Sequence, residues 1–243
     1  MSTHLAAIPV AILAGGLGTR LRPVIGERAK VVAEVAGRPF LAHLLDQVAG
    51  AGFREVVLCT GFRADEVAAA LGTHHAPLRL HYSVETEALG TGGALRQALP
   101  LLDAPAFLAM NGDSFCETDL AALWSWHCEK RAEATLVAVE VPDASRYGRV
   151  EIDADDRVRR FTEKHPGDDP GWINAGIYCL SRSLLAACEA DRAFSLERDA
   201  LPAWAAGARL HGHRVRGRFI DIGTPGAYAA VSRFFGAGNR GPE

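Results

Sequence analysis

The stretch that most restricts what this chain can become is Leu13-Ala14-Gly15-Gly16-Leu17-Gly18-Thr19-Arg20-Leu21-Arg22, which follows directly on an apolar run over residues 7–13. A short continuous apolar segment reads as a strand buried on both faces. Such strands belong to sheets covered by helices on either side. The three glycines after it let the backbone approach a ligand closely and turn N–H groups toward phosphate oxygens. Arg20 adds a forked cation and Lys30 a compact one. Spacing excludes two common phosphate loops. Leu21 stands where the dinucleotide fingerprint needs glycine, and no Gly-Lys-Ser/Thr follows.

The residues downstream continue the alternation. Residues 39–50 have helical spacing, with Phe40, Leu44, Leu45 and Val48 on one face. Residues 55–60 read as a strand, 64–71 as a helix and 78–84 as a strand. Residues 91–102 begin as a helix, and 106–110 form a strand ending at Asn111-Gly112-Asp113. This pattern predicts βαβ units and a mainly parallel sheet. Four strands separated by short turns follow, over 135–141, 148–152, 158–162 and 173–180. Residues 195–206 are expected as a helix and 218–222 as a last buried strand. No linker or repeat divides the chain. It is expected to form one domain over residues 1–235, with a nucleotide-binding first half (about 7–115), a sugar-binding second half (about 116–235) and a mobile tail at 236–243.

Bulk properties exclude several classes. The 243 residues carry a formal charge of -3, which gives no electrostatic reason to expect nucleic acid or an anionic membrane as partner. No apolar run is long enough to span a bilayer, and no export signal is read at the N-terminus. The five cysteines are scattered, without a CxxC pair, so neither zinc site nor disulfide framework is expected. Reduced thiols in the cytoplasm are the expected state.

The strand, the Leu-Ala-Gly-Gly-x-Gly-Thr-Arg-Leu run and the lysine after it resemble the signature of the sugar-phosphate nucleotidyltransferases. The resemblance extends from Val10 to about Phe235. It implies an α/β fold of three layers, a Rossmann-like mixed sheet flanked by helices, of the nucleotidyltransferase (GT-A-like) type. It also implies that Leu13, Ala14, Gly15, Gly16, Gly18, Thr19 and Arg20 wrap the triphosphate, with Arg20 and Lys30 as phosphate cations. One departure is visible. Family members carry prolines around the lysine, where Ala29 and Val32 stand here, which predicts a looser lysine loop.

Further segments carry the same resemblance. Glu85-Thr86-Glu87-Ala88-Leu89-Gly90-Thr91 matches the family's base-pocket segment, giving Glu85, Gly90 and Thr91 nucleotide-binding roles. A carboxylate at Glu85 suits guanine, whose N1–H and N2–H₂ are adjacent donors, and so favours GTP over UTP or dTTP. Asp113 and Asp221 each end a strand, where α/β sheets place ligands. They match the family's metal-binding aspartates, which implies Mg²⁺ as cofactor. Tyr147-Gly148-Arg149, Phe161-Thr162-Glu163-Lys164 and Trp172-Ile173-Asn174 match segments around the sugar 1-phosphate, giving Gly148, Glu163, Lys164 and Asn174 that role.

Among subfamilies, the short length and the Phe194-Ser195-Leu196-Glu197 run resemble the guanylyltransferases of D-glycero-α-D-manno-heptose 1-phosphate. The implied partners are GTP and a sugar 1-phosphate, and a homodimer is compatible with the sequence. The implied chemistry is in-line attack of the sugar-phosphate oxygen on the α-phosphorus, with pyrophosphate leaving. That nucleophile is already an anion, so no general base is needed. Positioning and charge neutralisation by Arg20, Lys30, Asp113 and Lys164 carry the catalysis. Three alternatives stay open: a mannose 1-phosphate guanylyltransferase, a uridylyltransferase for N-acetylmuramic acid 1-phosphate, and a non-catalytic nucleotide-sugar sensor.

Overall fold

The computed structural model describes residues 5–163, 169–189 and 192–236. The first half contains β1 (Pro9–Leu13), α1 (Arg22–Ile25), β2 (Glu34–Val35), β3 (Arg38–Pro39), α2 (Phe40–Gly50), β4 (Glu55–Thr60), α3 (Ala64–Leu71), β5 (His74–His75), β6 (Leu78–Val84), α4 (Gly90–Ala98) and β7 (Ala106–Asn111). It is followed by β8 (Ser114–Cys116), α5 (Leu120–Lys130), β9 (Ala134–Val141), β10 (Gly148–Ile152), β11 (Val158–Glu163), β12 (Gly171–Ser181), α6 (Arg182–Ala186), α7 (Leu201–Ala206), β13 (Leu210–Val215), β14 (Phe219–Asp221) and α8 (Pro225–Gly236).

Ten strands form one mixed sheet in the order β11-β10-β12-β7-β1-β4-β6-β5, with β9 pairing β12 and carrying β13. The expected parallel core is present: β1 runs parallel to β4 and β7, and β4 parallel to β6. β12 then lies antiparallel to β7 and starts the antiparallel half. Val10, Ala11 and Ile12 are fully buried because helices cover both faces. One face is packed by Phe40, Leu41, Leu44, Leu45 and Val48 of α2, with Val67 of α3, Leu123 of α5 and Val231 of α8. The other is packed by Leu95 of α4, Leu185 of α6 and Trp204 of α7. These are the three layers expected of a sheet whose strands are apolar on both sides.

The chain departs from the expected elements in several places. Residues 195–206 are not one helix. A wide π-type turn, Leu196–Ala200, precedes α7, whose Pro202 has no N–H with which to continue a ladder from before it. The strand expected at 218–222 is half-buried and lies outside the main sheet, paired antiparallel with β8. Gly236 closes α8, and the rest of the proposed tail lies outside the described residues. α5, α8 and β13 have no counterpart in the pattern reading. α5 is set by Asp119, whose carboxylate accepts from the Ala121 and Ala122 N–H groups. No helix among the described residues is long and apolar enough to cross a membrane.

His127 on α5 is buried and bonds Thr135 on β9 through Nδ1, at 2.8 Å. Burial pushes its pKa down to about 4, with His211 adding repulsion. His211 and His213 on β13 are also lowered by burial. A histidine whose folded pKa lies below its unfolded value near 6.5 binds fewer protons when folded. Its stabilising effect is therefore complete above pH 6.5 and is lost as pH falls from about 6.5 to about 4. We expect the thermal midpoint to fall across this window. His127→Gln, which keeps a partner for Thr135 but cannot charge, should fall less steeply in scanning calorimetry at matched ionic strength.

Candidate active site

The ends of β1, β4, β6 and β7 lie side by side, so the loops leaving them meet at one edge of the sheet. Hydrogen bonds extend the ladder past the strand ends. Ala14 N–H donates to Cys59 O at 2.7 Å, Gly112 N–H to Leu13 O at 2.8 Å, and Glu85 N–H to Thr60 O at 2.7 Å. Each loop therefore leaves from a fixed point.

Between these loops lies a cleft of about 280 Å³ lined by Leu13, Gly15, Gly16, Gly18, Lys30, Glu85, Gly90, Thr91, Asn111 and Asp113. At Gly15, Gly18 and Gly90 close approach leaves no room for a side chain, the Gly90 Cβ position lying 2.5 Å from Phe194 O. A Cβ on Gly15 would sit 3.0 Å from the Gly61 nitrogen and 3.3 Å from Glu85 Oε1. Gly18 has φ +60°, and a Cβ there would meet the Lys30 Cβ at 3.1 Å. Gly16, by contrast, faces open space. The lysine loop is better held than its missing prolines predict. Lys30–Val32 is a 3-10 turn, and Ala29 N–H donates to Glu66 Oε2 at 2.9 Å. Lys30 Nζ reaches Asp113 Oδ2 at 2.6 Å.

Glu85 is half-buried in this cleft, and its Oε2 accepts from Leu89 N–H at 3.0 Å. Burial raises its pKa above the usual carboxylate range, partly offset by that hydrogen bond. Glu87 is exposed and lines a separate hollow with Arg96 and Gln97. Two N–H groups in the first turn of α4 are already taken, Gly92 and Gly93 both donating to Phe194 O.

A second cleft of about 180 Å³ shares Asn111 and Asp113 with the first. It is otherwise lined by Arg20, Ser114, Arg146, Tyr147, Gly148, Asn174, Glu197 and Asp221, among others. Asp221 is held on both oxygens: Gly223 N–H donates to Oδ1 and Tyr147 O–H to Oδ2, each at 2.7 Å. Burial and this bond to Asp221 raise the Tyr147 pKa. Asp221 pairs with Ser114 in the β8–β14 ladder, and Ile222 N–H donates to Asp113 O at 2.9 Å. Asn174 is fixed by donating to the Tyr178 hydroxyl at 2.7 Å and accepting from Gly176 N–H.

The structure thus gathers most of the residues singled out in the sequence, with three differences. Arg20 lines the second cleft, not the glycine-loop cleft. Ala14 is buried with its N–H already bonded, and Thr19 is exposed and lines neither cleft. Lys164 lies outside the described residues, and for Glu163 only the β11 backbone, opposite Gly148, is described. Sequence reasoning missed Arg146, Tyr147, Ser114 and Glu197 as lining residues. Tyr147 could have been found beside Gly148. Glu197 stood in the Phe194–Glu197 run that carries the subfamily resemblance, but nothing local gave it a place in the site, since its partner Thr91 lies 106 positions away.

A metal could be held where the clefts meet. No group of three or more His, Cys, Asp or Glu side chains converges among the described residues. The candidate donors are instead Asp113 and Asp221, which line the second cleft together with Asn111, whose Oδ1 is buried and has no partner among the described residues. An all-oxygen set with two carboxylates and room for phosphate oxygens fits magnesium, which rarely takes a cage made wholly of protein.

A mixed sheet whose parallel strands end in a glycine loop, a half-buried carboxylate and Asp113, with Asp221 brought beside them by the β8–β14 ladder, defines the class of α/β protein. The chain belongs to the nucleotidyl transferase family, whose model matches residues 9–237. It is 36% identical over 228 residues to a mannose-1-phosphate guanylyltransferase of Mycobacterium tuberculosis, covering 93% of this chain and 63% of that one. Over 222 residues it is 33% identical to the D-glycero-alpha-D-manno-heptose 1-phosphate guanylyltransferase of Aneurinibacillus thermoaerophilus, covering 91% and 96%. The chain thus spans less than two thirds of the length of the mannose relative. Among solved structures, HddC from Yersinia pseudotuberculosis superposes with a TM-score of 0.84 at 33% identity, covering 94% of this chain and 99% of that one. HddC has also been solved complexed with GMP-PN.

The glycine geometry yields a test. Gly18→Ala places a side chain at positive φ and against Lys30. It should lower the unfolding free energy by about 1–2 kcal/mol. Gly16→Ala should leave it within about 0.5 kcal/mol. Urea denaturation of the two variants measures both.

Proposed function

We propose that this chain transfers GMP from GTP to a sugar 1-phosphate, with D-glycero-D-manno-heptose 1-phosphate as acceptor, releasing pyrophosphate. The observation that carries the reading is the pair of clefts joined at Asn111 and Asp113, one walled by the glycine loop and Glu85, the other by Arg20, Asp221 and Asn174. Two substrates bound there would bring their phosphates together over the shared wall. The names of the relatives and the GMP-PN bound to HddC support guanylyl transfer. The heptose acceptor is supported by the 33% identity over 222 residues to the heptose relative. Mannose 1-phosphate is the second reading, favoured by the 36% identity to the mannose relative. The five cysteines are all free, which fits the cytoplasm.

In this reading Glu85 accepts from guanine N1–H and N2–H₂, and the glycine-loop amides hold the triphosphate. Lys30 leaves or shares Asp113 to meet phosphate oxygens. Arg20 faces the acceptor's phosphate from the second cleft. Tyr147 keeps Asp221 aimed at the junction. Asp113 and Asp221 would hold Mg²⁺, which would neutralise charge on the transferring phosphoryl group when bound. The acceptor phosphate is the nucleophile, and no protein base is required.

The deciding experiment is pyrophosphate release over a matrix of GTP, UTP and dTTP against the 1-phosphates of mannose, heptose and N-acetylmuramic acid. Turnover is expected with GTP and the heptose compound. A preference for UTP would overturn the base assignment, and binding without turnover would make the protein a sensor. Asp113→Asn and Asp221→Asn should each lower kcat by about 100-fold or more. Near-normal turnover in both at saturating Mg²⁺ would remove them as ligands.

Glu85→Gln should shift the GTP-to-UTP ratio of kcat/KM by roughly ten- to a hundred-fold toward UTP, by analogy with base-edge readout. Glu87→Gln should leave the ratio unchanged. The wild-type ratio should fall on acidification, and at a higher pH than an ordinary glutamate would give, because burial raises the Glu85 pKa. Phosphate ionisation, common to both nucleotides, cancels in the ratio.

A further inference from the structure

Glu197 is half-buried in the turn before α7 and lines the second cleft beside Asn174. Its two oxygens have different surroundings. Oε2 accepts from the Thr91 hydroxyl at 2.6 Å and from the Ser195 hydroxyl at 2.9 Å. Both donors are themselves fixed. Thr91 Oγ1 accepts from Leu196 N–H at 2.8 Å, and Ser195 Oγ accepts from the N–H groups of Glu197 and Arg198. Each hydroxyl therefore has its single proton directed at Glu197, which must be an acceptor there. Among the described residues, Oε1 has only a long 3.4 Å contact from the Tyr178 hydroxyl. That hydroxyl in turn accepts from Asn174 at 2.7 Å. A carboxylate oxygen offers about two acceptor positions. Oε1 thus retains acceptor capacity in a residue that lines the cleft together with Asn174.

We propose that Glu197 is a specificity-determining residue for the acceptor: Oε1 accepts a hydroxyl of the sugar, while Oε2, tied to Thr91 and Ser195, fixes its direction. This rests on the guanylyltransferase reading above. The ligand class is a neutral polyhydroxylated sugar 1-phosphate with a hydroxyl at the matching ring or side-chain position. A sugar bearing a carboxylate there meets a like charge in a partly buried cleft and is rejected. Because Thr91 also lines the nucleotide cleft, the same carboxylate ties the acceptor position to the first turn of α4.

The test uses the full chain with GTP, Mg²⁺ and two acceptors, mannose 1-phosphate and D-glycero-D-manno-heptose 1-phosphate, together with their monodeoxy analogues. In the wild type, loss of one particular hydroxyl should cost about 10- to 100-fold in kcat/KM, the range for a hydrogen bond to a charged group. In Glu197→Gln that penalty should shrink to less than threefold, while penalties at the other positions persist. The acceptor KM should rise about 10-fold or more with the GTP KM nearly unchanged. Glu197→Asp, which withdraws the carboxylate by one methylene, should raise the acceptor KM and keep part of the penalty.

A merely structural role predicts that both KM values rise together and that all deoxy penalties survive, and this outcome overturns the proposal. Melting curves within a few degrees of wild type exclude misfolding. If Glu197→Gln does not fold, Glu197→Asp and the wild-type deoxy series decide the matter: a flat wild-type series overturns the proposal. If the wild type releases no pyrophosphate with any acceptor, the guanylyltransferase reading falls and this inference falls with it. If the wild type turns over and only the penalty pattern is unmoved by the variants, this inference alone falls.

Discussion

Everything at the candidate site depends on β1 being hydrogen-bonded on both edges. Its register with β4 and β7 fixes where Leu13, Cys59 and Asn111 end. Two further bonds, from Ala14 and Gly112, carry the ladder into the loops. A shift of one residue would exchange the side chains packed against the two helix layers, whose contacts differ in size and shape. The glycine loop, Asp113 and the entry to Glu85 are thereby spaced by the sheet and not by their own packing.

Charges at the site are held in pairs that a ligand must enter. Lys30 lies on Asp113, Tyr147 on Asp221, and Leu89 N–H on Glu85. An ammonium against one of two neighbouring carboxylates limits their mutual repulsion while leaving oxygen positions for another cation. Such a pair gives little net stability where it is partly exposed, since Asp113 keeps 45% of its side-chain surface. In the proposed reading its effect is to set the starting positions of groups that would exchange partners when phosphate arrives.

Much of this was legible in the sequence, and the failures have physical causes. The bounds of β4, α3, β6 and β10 can be read directly because apolar runs there stop at glycines or polar turns. β13 was not legible because His211, His213 and Arg214 interrupt its pattern. It is a strand because it pairs with β9, a long-range contact that no local pattern encodes. α8 begins at Pro225 and was obscured by the strand before it. Arg20 shows the limit of motif reading. The motif places it next to the loop, but the turn after Gly18 carries its side chain round to the other cleft. Glu197 depends on a hydrogen bond across 106 residues and on a turn shaped by Pro202, neither visible locally.

The wall formed by Asn111 and Asp113 has a consequence for how ligands exclude one another. A molecule small enough for one cleft competes only with other occupants of that cleft. A molecule long enough to lie across the wall excludes occupants of both at once. In the proposed reading a nucleotide joined to a sugar would lie across the wall, so a joined product that lingers would compete with each of its precursors. Rapid departure would then matter more to throughput than tight grip.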